Sequence, residues 1–206
     1  MSSLVIENGR VVDPATGFDA VANVYVENRT VTAIGDAPEG FPRDATRIDA
    51  DGLVVAPGFV DLHAHLREPG YDRVESIETG SLAAAAGGFT TVCCMPDTKP
   101  VNDNAAITRY IIERAREGSV HVRPVGAISK GMLNEEVAAI GTMREAGAVA
   151  ISDDGSPVMN ARLMRRAMQL AKDFGMPVMT DCEDQNLAGG GVVHEGLPST
   201  RMGLRG

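Results

Sequence analysis

The chain has 206 residues, 44% of them hydrophobic, which is enough to bury a substantial core. Its 28 acidic and 19 basic residues leave a formal net charge of -9, which argues against nucleic acid or an anionic membrane as a general partner, because both are polyanions. The start, MSSLVIENGR, lacks the basic and apolar regions of a secretory leader, no run is apolar enough over a sufficient length to span a bilayer, and Cys93, Cys94 and Cys182 form neither a disulfide framework nor a metal-spaced pair; a cytoplasmic chain in a reducing compartment is expected.

Residues 1–55 alternate short apolar runs with turn dipeptides: SLVIENGRVV around Asn8-Gly9, VANVYVENRTVTAIG around Asn28-Arg29, and TRIDADGLVV around Asp51-Gly52. This pattern predicts a small β portion. From residue 56 the rhythm changes. Apolar runs begin at 59, 89, 121, 148 and 177, each followed by a helical pattern, and their spacing of about 30 residues is that of a strand, a crossover helix and two loops. The clearest helices are DNAAITRYIIERAREG, with Asp103 as the cap candidate, and NARLMRRAMQLAKDFG, with Asn160 as cap, an apolar stripe that includes Met164 and Met168, and Gly175 as the stop. The fold class is therefore α/β, a parallel barrel or sheet of (β/α) units, with about five of the eight units that a TIM barrel needs to close. Five parallel strands alone would leave an edge and an apolar face uncovered, so the expectation is a complete doubly wound sheet or a chain that is part of a longer one.

The chemistry concentrates where these strands end. Side chains at i and i+2 of a strand point the same way, so Asp61, His63 and His65 of FVDLHAHLREPG share one face at the C-terminal end of the first barrel strand, the end on which barrel enzymes build their sites. Two neutral imidazoles there suit a divalent metal able to lower the pKa of a bound water from 15.7 to about 7, although capped structural histidines would read the same. ISDDGSPV brings Asp153 and Asp154 to the equivalent rim of the fourth strand; one is expected to serve the turn and the other a metal. VMTDCED offers Asp181, Glu183 and Asp184 after the fifth strand. Arg67 supplies a donor fork for a carboxylate, with a surface pair to Glu68 or Glu75 as the plainer reading. His121 reads as a structural histidine and His194 as a solvated loop residue, while Cys93 and Cys94 read as small hydrophobes of a buried strand.

With DLHAHLREPG, GGFTTVCCMPDTKPVND, ISDDGSPV and CEDQNLAGGGVVHEGLPSTRMGLRG in order, the chain resembles the N-terminal half of a dihydroorotase of the amidohydrolase superfamily. That resemblance implies a TIM barrel carrying a small β-sandwich, with residues 1–55 as part of the sandwich and 56–206 as a partial barrel. It implies reversible hydrolysis of dihydroorotate to N-carbamoyl-aspartate in pyrimidine synthesis, by hydroxide on one or two Zn2+ ions, with Mn2+ or Mg2+ as substitutes. It carries the metal-ligand role to His63, His65 and Asp154, and the substrate-carboxylate role to Arg67. Asp181 stands where the family has a metal-binding His, and as an oxygen donor it hardens the site toward Mn2+ or Mg2+. Asp97 stands where the family has an Asn that contacts the substrate; a bare carboxylate ~5 Å from the substrate's own would oppose binding by ~3 kcal/mol unless a cation pairs it. The family's general acid/base Asp would lie beyond Gly206, so no catalytic proton donor is assigned here. The rivals are a hydantoinase- or allantoinase-type enzyme, and a non-catalytic homologue serving aspartate carbamoyltransferase as a structural partner; a homodimer is a further assembly compatible with the resemblance.

Overall fold

The structure is a computed structural model and describes residues 3–206. The chain divides into two compact units, Met1–Gly58 and Phe59–Gly206. The first is a five-stranded sheet in which β1 (Ser3–Asp13) pairs with β2 (Phe18–Glu27) on one side and with β4 (Thr46–Asp49) and β5 (Val54–Val55) on the other, while β3 (Thr30–Ile34) flanks β2. Asn28-Arg29 is the tight hairpin the sequence predicts, with both residues at positive φ between Glu27 and its partner Thr30.

The other two turn dipeptides do something else. Asn8-Gly9 does not reverse the chain but bulges β1, whose register against β2 shifts between Ile6 and Gly9. Asp51-Gly52 bulges beside it, because β4 and β5 run parallel to β1 as two parts of one interrupted strand. Bonds from Ala50 N–H to Glu7 O (2.8 Å) and from Arg10 N–H to Leu53 O (3.0 Å) carry the pairing across the gap. A Cβ on Gly9 would lie 2.5 Å from the Val55 side chain, so the close approach requires glycine.

The second unit is a parallel sheet in the order β6-β7-β8-β9, formed by Phe59–Ala64, Phe89–Cys94, His121–Gly126 and Ala150–Ile151. Helices α1 (Ile77–Ala86), α2 (Ala105–Ala115) and α3 (Ile140–Ala146) make the crossovers, and α4 (Ala161–Asp173) follows β9. The run predicted as a fifth strand shrinks to one bridge, Ile151 to Val178, flanked by bonds from Ile151 N–H to Pro177 O (3.1 Å) and from Met179 N–H to Ile151 O (2.9 Å). Two short helices close the described chain, α5 (Gln185–Ala188) and α6 (Leu197–Met202). Among the described residues no helix is long and apolar enough to cross a membrane.

Alternation along β7 sends Cys94 into a core with Leu66, Ile77, Val92, Ile111 and Val122, and Cys93 to the other face with Met95, Val125 and Ala150. Both thiols are buried as expected, and burial pushes the Cys94 thiol up to about 12, which leaves it inert. On α4 the apolar stripe is narrower than predicted: Leu163, Ala167 and Ala171 are buried, but Met168 is 54% exposed. Asn104, not Asp103, caps α2 by accepting from the N–H groups of Ala106 and Ile107. Asp103 is drawn away to accept from Gly131 N–H at 2.9 Å. The edge strand β6 leaves Val60 and Leu62 more than half exposed, the apolar face anticipated for an open sheet. Ile111 is wholly buried against the strands, so Ile111→Ala is expected to lower unfolding free energy by about 3 kcal/mol, read as a shifted urea midpoint at unchanged slope.

Candidate metal centre

β6 ends at Ala64, so His63 lies on the strand while His65 and Arg67 lie in the loop beyond it, and Arg67 takes a left-handed φ of 59°. The strict alternation drawn from the sequence therefore stops one residue early. His63 and His65 nonetheless converge, their Nε2 atoms 3.3 Å apart. Asp154, also left-handed at φ 50°, brings Oδ1 to 2.8 Å from His63 Nε2 and 3.7 Å from His65 Nε2. Ligands around a tetrahedral ion with bonds of 2.0–2.1 Å stand about 3.4 Å apart, so three donors with edges of 2.8, 3.3 and 3.7 Å already fit one ion. Among the described residues His63, His65 and Asp154 form the one such group.

Two buried carboxylates hold this rim from beneath. Asp153 and Asp154 diverge: Asp154 faces the imidazoles, while the carboxylate of Asp153 turns inward to a neighbouring loop rather than serving its own turn. Asp153, 2% exposed, accepts from the N–H groups of Ile128 (2.7 Å) and Ser129 (3.0 Å) and from the Ser129 hydroxyl, tying the loop after β9 to the loop after β8. Burial pushes its carboxyl above the usual range, and these hydrogen bonds only partly counter that. Glu68, 4% exposed, accepts from Ile77 N–H at the start of α1 (2.9 Å), Tyr110 Oη (3.0 Å) and Arg114 Nε (2.7 Å). The plainer reading, in which Glu68 or Glu75 pairs with Arg67, is thus overturned: Glu68 turns inward and Arg67 pairs with Asp97, NH1 to Oδ2 at 2.6 Å. Partners 42 and 46 residues downstream leave no local signal in the sequence for the Glu68 cluster.

Asp97 also meets His65, its Oδ1 lying 2.9 Å from Nδ1. Asp61 does not reach an imidazole; it accepts the main-chain N–H of His63 at 3.0 Å. A cavity of about 420 Å³ opens beside the cluster, lined by His63, His65, Ser152, Asp154, Met179, Thr180 and Asp181 among others. Asp181 thus stands on the cavity wall, exposed and outside the three-donor group. His194 is exposed and also outside that group, and His121 opens β8 exposed to solvent, where a satisfied structural histidine was expected.

The dihydro-orotase-like family model matches residues 52–206. The chain is 57% identical over 204 residues to the dihydroorotase of Solibacter usitatus, covering 98% of this chain and 47% of that protein. It is 51% identical over 205 residues to the dihydroorotase of Geobacter metallireducens, covering 99% and 48%. It therefore spans about half the length of the curated relatives it matches. The solved L-hydantoinase (dihydropyrimidinase) of Arthrobacter aurescens superposes with a TM-score of 0.77 at 23% identity, over 92% of this chain and 43% of that one, a likeness of fold.

Burial pushes the Glu68 carboxyl up, but its bonds from Arg114, Ile77 N–H and Tyr110 outweigh burial and hold it below the ordinary value. A depressed carboxyl contributes stability that is present above its unfolded pKa, near 4.3, and is lost as pH falls through the lower folded value. Glu68→Gln is expected to lose about 3 kcal/mol at pH 7 and to show a flatter loss of stability than the parent below about pH 4.3, measured as urea midpoints against pH.

Proposed function

The chain belongs to the dihydro-orotase-like family, and from that premise we propose that its protein is a metal-dependent cyclic amidohydrolase that interconverts dihydroorotate and N-carbamoyl-aspartate in the pyrimidine synthesis of the cytoplasm. The observation that carries the reading is the convergence of His63, His65 and Asp154 beside a cavity, with the cation Arg67 joined to His65 through Asp97.

In this reading the two imidazoles and the Asp154 carboxylate hold one divalent ion, with a protein position left open as in catalytic rather than structural zinc sites. Zinc suits this nitrogen-rich set, and recruitment of Asp181 from the cavity wall would shift the preference toward Mn2+ or Mg2+. When bound, the ion supplies Lewis acidity to a ring amide carbonyl and acidifies water. His63 and His65 must present lone pairs to the ion, so each keeps its other ring nitrogen for a proton. Arg67 orients the ring by its carboxylate, fixing which carbonyl faces the cluster. Asp97, paired with Arg67 at 2.6 Å, meets the condition under which its negative charge does not by itself repel the substrate. The proton for the departing ring nitrogen is not assigned to a residue of this chain. Residues 1–55 are read as part of a small accessory β-domain and 56–206 as the barrel portion that carries the ligands.

The hydantoinase-like fold makes substrate choice the sharper question, and the carboxylate decides it. With Zn2+ the full-length protein is expected to open dihydroorotate, to lose activity to a chelator, and to prefer dihydroorotate to a hydantoin without a ring carboxylate. Arg67→Met should raise KM for dihydroorotate about 100-fold. Assays of N-carbamoyl-aspartate formation test this, and equal turnover of the carboxylate-free hydantoin, or an unchanged KM in the Met variant, would reject it.

A further inference from the structure

We infer that Asp97 is a positioning residue that sets two groups at once: it fixes the His65 ring so that Nε2 presents its lone pair to the cluster, and it engages Arg67, so that an incoming carboxylate must share that guanidinium. The second half rests on the reading of Arg67 as the substrate anchor; the first stands on the geometry of the cluster alone.

Asp97 uses its two oxygens on two different partners, Oδ1 on His65 Nδ1 at 2.9 Å and Oδ2 on Arg67 NH1 at 2.6 Å. A carboxylate only accepts, so the His65 nitrogen facing it must carry the ring proton. In the neutral ring that leaves Nε2 as the lone pair, and Nε2 is the atom that faces His63 and Asp154. The residue is not free to swing between these tasks. Its loop is bonded to the end of β6 and to the turn beyond it, through Met95 N–H to Ala64 O and Lys99 N–H to Pro69 O, both at 2.9 Å. It is braced from within by Asn102 N–H to Pro96 O at 3.0 Å.

The consequence of a carboxylate here is specific. One amide oxygen can accept from His65 or from Arg67, whereas the amide nitrogen beside it could only confront the other partner's donor. Asp97→Asn therefore separates the roles: with an ion holding His65 Nε2 as a lone pair, the amide oxygen stays on Nδ1–H and Arg67 is released. Asp97→Ala removes both. An acceptor that orients a ligating histidine in this way is worth roughly 10–100-fold in metal affinity.

The test uses the full-length protein, with Zn2+ affinity read by competition against a chromophoric chelator, and with 15N NMR of the His65 ring in the metal-free form. The parent is expected to show His65 protonated at Nδ1, and Asp97→Ala to bind Zn2+ about 10–100-fold more weakly with loss of that tautomer. Asp97→Asn should lose much less affinity and lower KM for dihydroorotate about tenfold, with a smaller change in kcat. A parent His65 protonated at Nε2 overturns the inference without any variant, as does Zn2+ binding by a folded Asp97→Ala within twofold of the parent. An unchanged KM in Asp97→Asn overturns the Arg67 half. A protein that opens no dihydroorotate yet loses zinc affinity in Asp97→Ala rejects the functional reading and supports the positioning role.

Discussion

Parallel pairing of β6 through β9 is the constraint on which the site depends. Strands that run the same way must all end on the same rim, so residues far apart in the chain meet there. His63 lies near the end of the first strand of this sheet and His65 just beyond it, Asp97 follows the second and Asp154 the fourth, and ladder bonds rather than local sequence set their separations. The helices between them return the chain across the sheet and bury their apolar faces against it, with Ile77 and Ile111 among the most enclosed side chains.

Burial divides the carboxylates of this rim into two kinds. Glu68 and Asp153 lie within the protein, each with three donors, and hold loops in place. Asp97 and Asp154 remain partly open and point at imidazoles. Glu68 carries the larger energetic stake, since removing one partner of a buried ion pair costs about 3–5 kcal/mol while an exposed pair such as Arg10–Asp19 is worth about 0–1. The left-handed backbone at Arg67 and Asp154 is the conformational cost of aiming these side chains, and Glu68 and Asp153 sit one residue from each to fix it.

Much of this was legible in the sequence because it depends on short periods. The 30-residue βα rhythm, the Asn160 cap and the shared direction of His63 and His65 are local consequences of chain geometry. Asp153 departs from the local reading, because its carboxylate serves not its own turn but the N–H groups of Ile128 and Ser129, which lie far upstream in the chain. What local pattern could not reveal is pairing at a distance. Asn8-Gly9 reads as a hairpin until Ala50–Leu53 is seen bulging beside it. Arg67 reads as a partner for its neighbour Glu68 until Arg114, on α2, takes that carboxylate and Asp97 takes the guanidinium. The fifth strand failed for a similar reason: its sequence is apolar enough, but among the described residues only Ile151 pairs with it.

The central claim is that His63, His65 and Asp154 hold one divalent ion. X-ray absorption at the zinc edge of the Zn2+-loaded full-length protein tests it most directly, compared with Asp154→Ala. The account predicts a first shell of nitrogen and oxygen only, at about 2.0–2.1 Å, with imidazole scattering beyond it and one light donor lost in the variant. A shell containing sulfur near 2.3 Å, as the exposed Cys182 could supply, or a spectrum unchanged by Asp154→Ala, would contradict it.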